Sequence, residues 1–365
     1  MKMQFPKPSP NWQEYNRIVE RGFGRFPERK HNYDKFQQLC SDKAYDLKSE
    51  CMPVKMDYEV SNKCNFKCKM CLLQQKNYIN IPQMSVTAFE RSLKQQYGLI
   101  EVKLQGLGEP LLNPDFFKMV RMVVEKDIWC RTTTNGSLLH LNSNYKKLID
   151  EKIGEIQISI DGATKQTFEG IRAGSKFEQI VENVKMLNEY AREKGEIWRT
   201  SCWMLVQKDN YCEMEQLLDL AEYMKFTRVV YSLDVSNWGK AELESFAGDL
   251  NVSNIITDEL LMHLIKKGKE KGIDVAIWSD EDKYMYSSEH GNLCGWLWSR
   301  AFISADMKIV PCCVLSDSDT CNLGDALSFE EYWNSEKYRN LRRMHLDGEL
   351  PDMCKNCYHS LAYEV

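Results

Sequence analysis

The chain has 365 residues, 43% of them hydrophobic and 28% charged, a composition typical of a globular protein with a substantial core. The formal net charge is −5 and no long lysine/arginine run occurs, which disfavours a nucleic-acid partner and favours small-molecule substrates. The first residues lack a hydrophobic signal segment, and no run of about eighteen apolar residues occurs. We therefore expect a cytoplasmic protein without a membrane span, whose 14 cysteines stay reduced and available for metal.

The predicted elements begin after residues 1–54, a segment without clear periodicity that we interpret as an N-terminal cap. From residue 55 onward, short β-branched runs alternate with amphipathic segments, a pattern typical of a parallel sheet with crossover helices. Strands are predicted at Met56–Val60, Val102–Gln105, Ile128–Thr133, Glu155–Ile160, Thr200–Val206 and Thr227–Leu233. Helices are predicted at Val86–Tyr97, Pro114–Glu125, Asn144–Glu151, Phe177–Lys194 and Glu213–Met224, with Ser85 and Asn113 at the first two N-caps.

Three regions are predicted after the cap. Residues 55–240 hold the six strand–helix units, and residues 241–289 form a bridge with a helix over Ile255–Lys271 and a strand over Ile273–Trp278. Residues 290–365 form a smaller cysteine-rich domain. The expected fold class is therefore α/β, with a small C-terminal domain following the parallel sheet.

The most informative motif is the CxxxCxxC sequence of Cys64, Cys68 and Cys71, directly after the first predicted strand. Thiolates suit iron–sulfur clusters and zinc, and a [4Fe–4S] cluster normally takes one cysteine per iron. Three cysteines in one loop would leave one iron open. Structural zinc sites are closed and are usually built from CxxC pairs, so zinc is the weaker alternative.

This motif, with Phe66 two residues before Cys68, resembles the radical S-adenosylmethionine (radical SAM) superfamily. The resemblance implies a partial (β/α)6 TIM-like barrel, with the cysteine loop at the carboxyl end of its first strand. It also implies that the methionine part of SAM chelates the open iron. Reduction of the cluster would then cleave SAM to a 5′-deoxyadenosyl radical, which takes a hydrogen atom from the substrate.

The resemblance also assigns SAM contacts to residues that follow successive strands. Gly108 and Glu109 lie in a Gly-Gly-Glu-Pro-like motif, where glycine permits close backbone approach and the carboxylate accepts from SAM's ammonium. Arg172 matches an arginine that pairs with SAM's carboxylate. The remaining predicted contacts are Thr134 and Asn135 at the sugar end, Ser159 and Asp161 at the ribose hydroxyls, and Leu205 near adenine.

A second cysteine set lies near the C-terminus and resembles the SPASM/Twitch extension of radical SAM proteins. The shorter Twitch form implies one auxiliary [4Fe–4S] cluster, held by Cys294, Cys312, Cys354 and Cys357. Cys313 and Cys321 are alternative ligands, and zinc bound by the same thiolates stays open as an alternative.

The favoured function is a radical SAM oxidoreductase that oxidises an alcohol of a small polar substrate, such as a sugar, aminocyclitol or nucleotide. The auxiliary cluster would accept one electron, and an external donor such as flavodoxin or ferredoxin would reduce the SAM cluster. Alternatives are a radical epimerase, decarboxylase or dehydratase, a peptide-modifying maturase, and a non-catalytic zinc-binding protein. Candidate substrate-side residues are Cys202 as a hydrogen donor and Asp234, with Gln74, Trp278 and Asp280 as further contacts.

Overall fold

The computed structural model describes residues 4–74, 83–252, 254–279, 284–288 and 291–359. Its strands are β1 (Lys55–Tyr58), β2 (Lys67–Cys68), β3 (Glu101–Leu104), β4 (Trp129–Thr134), β5 (Glu155–Ser159), β6 (Arg172–Ala173), β7 (Thr200–Leu205), β8 (Arg228–Ser232), β9 (Asp274–Trp278), β10 (Tyr284–Ser288), β11 (Gly291–Cys294), β12 (Arg300–Ile303), β13 (Lys308–Val310) and β14 (Gly324–Asp325).

The α-helices of the described ranges are α1 (Trp12–Arg25), α2 (Pro27–Asp42), α3 (Val86–Lys94), α4 (Phe116–Val124), α5 (Asn144–Asp150), α6 (Lys165–Ile171), α7 (Phe177–Glu193), α8 (Met214–Tyr223), α9 (Glu244–Leu250), α10 (Asp258–Glu270), α11 (Trp296–Ser299), α12 (Phe329–Trp333), α13 (Glu336–Leu346) and α14 (Asp352–His359). Within those ranges, we find no helix with the length and hydropathy needed to cross a membrane.

One ten-stranded sheet forms the framework, in the order β14-β13-β12-β1-β3-β4-β5-β7-β8-β9. The neighbours from β12 to β9 are parallel, whereas β13 and β14 are antiparallel additions at one edge. All six predicted strands are present and end within two residues of the expected positions. The predicted α/β barrel-type fold is therefore confirmed, and strands β9 and β12 extend its sheet on both sides.

The two faces of the sheet differ in chemistry, because successive side chains of a strand point to opposite faces. On the helix-facing side, Ile158 of β5 approaches Ile180 and Val184 of α7 around Gly136. On the interior side, β1, β3, β4 and β5 carry charged and polar residues: Lys55, Asp57, Glu101, Lys103, Arg131, Thr133, Glu155 and Gln157. The sheet therefore surrounds a polar interior and buries its apolar face under helices.

The N-terminal cap consists of α1 and α2, which lie at the amino ends of the strands. Asp127, two residues before β4, accepts from Arg21 Nε and Arg25 Nη1 at 2.5 Å each. Tyr15 packs edge-on against Trp129 with ring centroids 5.3 Å apart. The expectation that this segment lacks periodicity is wrong for α1, which buries Tyr15, Val19, Gly22 and Phe23 at helical spacing.

The two predicted N-caps have different outcomes. Ser85 caps α3, since its hydroxyl accepts from the backbone N–H of Ala88. Asn113 does not cap α4, which begins at Phe116. Instead, the Asn113 amide donates to the carbonyl oxygens of Val60 (2.6 Å) and Met84 (2.9 Å). This side chain fixes the backbone just beyond β1, where the cysteine loop starts.

Candidate active site

The cysteine loop between β1 and α3 is held in place by a short antiparallel pairing. Strand β2 pairs with β6, and Cys68 lies opposite Arg172 in this register. The backbone N–H of Phe66 donates to Cys64 Sγ at 3.4 Å, while the Phe66 ring packs in the hydrophobic core. Burial raises the pKa of Cys71, and Cys68 and Cys64 add to that rise, as expected where three thiols lie in one loop.

The chemistry of these thiols fits an iron–sulfur cluster. Burial raises the pKa of Cys64 to about 11 and that of Cys71 to about 12, so three thiolates there require a positive partner. In the described part of the chain, no three His, Cys, Asp or Glu side chains are arranged to hold a single metal ion. A cluster differs from a single ion because each thiolate binds its own iron.

Two further side chains approach the cysteine sulfurs. The Asn135 amide nitrogen lies 3.9 Å from Cys64 Sγ, and Arg172 Nη1 lies 3.9 Å from Cys68 Sγ. Donors directed at cluster thiolates stabilise their negative charge and tune a cluster's potential. Asn135 and Arg172, predicted as SAM contacts, therefore also lie beside the cluster ligands.

Glu109 is held by the residues that follow β4. Its carboxylate accepts from Thr134 Oγ1 (2.8 Å), from the Asn135 N–H (2.8 Å) and from the Leu111 N–H (3.2 Å). Burial raises the Glu109 pKa, and these donors act against that rise. A Cβ at Gly108 would lie 2.4 Å from the Ser61 carbonyl oxygen, so this close approach requires glycine. The predicted motif thus fixes a buried carboxylate near the cysteine loop.

Asp161 has a different role from the predicted one. Its Oδ2 accepts from Arg172 Nε (2.8 Å) and Nη2 (2.6 Å), and its Oδ1 accepts from the Leu205 N–H (2.8 Å). The residue is 0% exposed, so its carboxylate is not accessible to ribose hydroxyls. The structure corrects the prediction: Asp161 positions Arg172 and the Leu205 backbone. Ser159, at the end of β5, is only partly buried, and its hydroxyl forms no hydrogen bond within the described residues.

Below this site is a region lined by polar side chains on the interior face of β1, β3, β4 and β5, which sequence reasoning missed. We call it the interior chamber and define it by Asp57, Lys103, Gln105, Thr133 and Gln157. Lys103 Nζ donates to Gln157 Oε1 at 2.9 Å, and Thr133 Oγ1 contacts Gln105 Oε1 (2.6 Å) and Gln157 Oε1 (2.8 Å). The signal in the sequence was the polar alternation along β1, β3, β4 and β5.

An ion-pair network closes the chamber at the amino ends of the strands. Glu101 pairs with Lys55 (2.9 Å) and Arg131 (2.8 Å), and Arg131 also pairs with Glu155 (3.0 Å). Burial alone would raise the pKa of Glu101, but the positive charges of Lys55, Arg131 and Arg300 hold it well below its usual range. The four charges of the network balance one another. We call the network of Lys55, Glu101, Arg131 and Glu155 the floor of the chamber.

The second cysteine set comes together in the C-terminal part. Burial raises the pKa of Cys312 far above its usual value, and Cys313, Cys294, Cys354 and Cys357 add to that rise. Cys321 adds instead to the raised pKa of Cys354. The four predicted auxiliary ligands are therefore neighbours, with Cys313 as a fifth thiol close by.

The auxiliary cysteines also adjoin the chamber. The Cys313 thiol acts on the pKa of Lys103, which lies on the interior side of β3. Around the cysteines, an apolar cluster of Trp296, Phe302 and Val310 limits access of water. The Cys294 N–H donates to the Tyr358 hydroxyl (2.8 Å), which lies 2.9 Å from His345 Nδ1. A metal site held here would thus lie close to the interior chamber, at Cys313 and Lys103.

The substrate-side predictions have mixed outcomes. Cys202 is 0% exposed and pairs with Ile158 and Val229 on the helix-facing side of the sheet. This placement contradicts the predicted hydrogen-donor role, because the thiol points away from the chamber. Trp278 shares the interior face and Asp234 follows β8, both partly buried, whereas Gln74 is exposed. Asp280 lies outside the described residues.

Comparison with known families assigns both halves of this arrangement. Residues 58–221 match the radical SAM superfamily model, and residues 294–358 match the model of SPASM, an iron-sulfur cluster-binding domain. A GTP 3′,8-cyclase of Staphylococcus carnosus is 24% identical over 75% of this chain and 86% of its own length. A GTP 3′,8-cyclase of Aliarcobacter butzleri is 32% identical, but that match covers 36% of this chain and only 42% of the relative.

Solved structures agree on the fold. Streptococcus suis SuiB bound to its precursor peptide SuiA has a TM-score of 0.63 at 17% identity, covering 85% of this chain and 70% of SuiB. The native anSMEcpe structure with bound AdoMet has a TM-score of 0.59 at 18% identity, covering 80% and 84% of the two chains. The two domains imply a [4Fe–4S] cluster with SAM and an auxiliary iron–sulfur site. The protein is therefore a radical SAM enzyme with a C-terminal SPASM/Twitch-like iron–sulfur domain.

Proposed function

We propose that this enzyme oxidises an alcohol group of a small polar substrate held in the interior chamber. The observation that supports the proposal is the polar lining of the chamber, where Thr133 lies next to Thr134, a partner of Glu109, and Lys103 is near Cys313. Hydrogen-bonding side chains line the chamber, and Lys103 is electrostatically coupled to Cys313 beside the auxiliary cysteines. A substrate there would contact the SAM end on one side and a second redox centre on the other.

The roles of the side chains follow from their contacts. Glu109 and Arg172 would hold the methionine ammonium and carboxylate of SAM, and Ser159 would hold its ribose. Gln105 and Thr133 would orient substrate hydroxyls. SAM with its cluster supplies a 5′-deoxyadenosyl radical that takes one hydrogen atom from the carbinol carbon, and the auxiliary cluster supplies a one-electron acceptor. The hydroxyl proton would pass to a chamber carboxylate, for which Asp57 is placed.

The test is anaerobic reconstitution, followed by reduction in the presence of SAM and candidate alcohols. We expect 5′-deoxyadenosine and a carbonyl product in wild type. Cys312→Ala should still cleave SAM but should not form the carbonyl. The matched control is Cys212→Ala, which removes an exposed thiol outside both cysteine sets. Unimpaired oxidation by Cys312→Ala would contradict an electron-accepting role for the auxiliary site.

A redox-neutral reaction on a nucleotide is the second candidate. It is favoured by the Staphylococcus carnosus relative, whose name, GTP 3′,8-cyclase, identifies a nucleotide reaction and whose match spans 75% of this chain. Incubating the reduced enzyme with SAM and GTP, then analysing nucleotides by mass spectrometry, separates the candidates. An isomeric product with no change in oxidation state would favour the second.

The proposal includes an external partner. Reductive SAM cleavage requires one electron from outside the chain, so a flavodoxin- or ferredoxin-type donor in the cytoplasm is proposed. Exchange of the chemical reductant for such a protein should preserve 5′-deoxyadenosine formation. Peptide maturation would instead predict turnover of a peptide substrate, which is measured by adding candidate peptides to the reduced enzyme and SAM.

A further inference from the structure

Three charged groups of the interior, Asp57, Lys103 and Arg300, form no ion pair within the described part of the chain. Asp57 accepts no hydrogen bond from the described residues, and Lys103 donates only to the neutral Gln157 side chain. The Arg300 guanidinium contacts the Trp296 ring, 5.2 Å from its centroid, and forms no ion pair within the described part of the chain. All three side chains are partly buried on the interior side of the sheet. Because they have few partners there, each can still form hydrogen bonds with a ligand.

The strand register places these groups on one wall. Asp57 lies beside Lys103 across the β1–β3 pair, and Arg300 lies beside Lys55 across the β1–β12 pair. Residues paired in this way share a face of the sheet. Burial raises the pKa of Asp57, and the positive charges of Lys103 and Arg300 both oppose that rise, as expected for charges that share one face of the sheet. They do so without a direct ion pair.

The charges on this face do not balance. Lys55, Lys103, Arg131 and Arg300 carry four positive charges against the three carboxylates of Asp57, Glu101 and Glu155, and Arg300 also acts on Glu101. Glu59, beyond the end of β1, already accepts from the backbone N–H groups of Leu107 and Ala305. Burial and Arg131 lower the pKa of Lys103 to about 8, although Asp57, Glu155 and Cys313 act in the opposite direction.

We propose that Lys103 and Arg300 bind an anionic group of the substrate, a carboxylate or a phosphate, on the chamber wall. Asp57 then accepts a hydrogen bond from a hydroxyl or ammonium group of the same molecule. This inference rests on the proposed function in taking the chamber as the substrate site. It narrows the substrate to acidic sugars, sugar phosphates or nucleotides, and it excludes neutral sugars and aminocyclitols without an acidic group.

The test measures binding of inorganic phosphate to the reconstituted holoenzyme with SAM, by equilibrium dialysis. We expect one saturable site per chain, weakened about tenfold or more by Lys103→Met and by Arg300→Met, because a charge-assisted hydrogen bond is lost. Lys103→Arg keeps the charge and should retain binding. Lys118→Met is the matched control, since Lys118 is exposed and pairs only with Asp115.

Competition identifies the anionic group. Glucose 6-phosphate and glucuronate should displace phosphate, and the tighter of the two identifies the preferred anion, whereas glucose should not. The absence of a saturable site, or a site indifferent to both methionine variants, would overturn the inference. Iron content and the midpoint of urea unfolding show that the variants are folded. Because dialysis requires no turnover, failure of alcohol oxidation in wild type would be distinguishable from failure of anion binding.

Discussion

Replacing Asp161 by asparagine tests the assignment of this residue as the partner of Arg172. In the structure, Asp161 Oδ2 accepts two hydrogen bonds from the guanidinium, at 2.6 Å and 2.8 Å, in a fully buried position. Asp161→Asn keeps the side-chain shape and can keep the bond from the Leu205 N–H, but it removes the negative charge. Arg172 would then be a buried cation without its counter-ion.

Removing one partner of a buried ion pair costs about 3–5 kcal/mol. Because asparagine retains an acceptor oxygen, we expect the lower end, a loss of about 3 kcal/mol in the free energy of unfolding. The assay is urea unfolding of reconstituted protein without SAM, on preparations of equal iron content. In a double-mutant cycle with Arg172→Gln, the coupling energy should be about 1.5–3 kcal/mol.

The matched control is Ser159→Ala on the preceding strand. Its hydroxyl forms no hydrogen bond within the described residues, so stability should change by less than about 0.5 kcal/mol. SAM affinity should instead fall by about twofold to tenfold, the loss of one hydrogen bond. If Asp161→Asn left stability unchanged but weakened SAM binding, Asp161 would be a ligand contact and the reasoning would be refuted.

Four further predictions follow from individual side chains. Cys68→Ala should remove about four iron atoms per chain and abolish 5′-deoxyadenosine formation, both retained in Cys212→Ala; equal iron content would contradict the ligand assignment. Cys202→Ala should leave the product, and its deuterium incorporation in D₂O, unchanged, since the thiol faces helices. Burial lowers the pKa of His345 to about 4, so as pH falls below about 6.5 the unfolded state binds a proton that the folded state does not. The free energy of unfolding should therefore drop by about 2 kcal/mol between pH 7 and pH 5. In urea titrations, His345→Asn should reduce this dependence on pH. Glu59→Gln should cost about 1–3 kcal/mol in the same unfolding assay, because its amide can accept from only one of two backbone N–H groups.

The elements that sequence predicted well are those with a strong local signal. The six strands are short β-branched runs between helix patterns, and Ser85 has the side chain that an N-cap requires. The CxxxCxxC motif identifies its own chemistry because three thiols within eight residues cannot separate far in space. These features depend on neighbours in the chain, so tertiary structure could not change them.

Other features depend on contacts between distant segments. Asn113 and Pro114 have the composition of a helix start, yet the Asn113 amide bonds to Val60 and Met84 because β1 ends beside it. The position of Asp161 just after β5 suggested a contact with ribose, but its carboxylate accepts hydrogen bonds from Arg172, eleven residues later. The joining of β12 to β1 links residues about 245 positions apart, and no local pattern indicates that pairing. Side-chain competition and long-range pairing are therefore what the sequence left undetermined.

The interior chamber shows why the substrate space was the hardest part to predict. Along β1 and β3, alternation of apolar residues with Lys55, Asp57, Glu101 and Lys103 is the pattern expected of a sheet with one solvated face. In this fold that polar face turns inward, where α1 and α2 close one end and the C-terminal strand β12 lies along one edge. A charged residue on such a face must find a partner or keep a place for one. The charges of the floor form ion pairs with one another, whereas the two positive charges of Lys103 and Arg300 exceed the one negative charge of Asp57. This excess positive charge favours an acidic substrate.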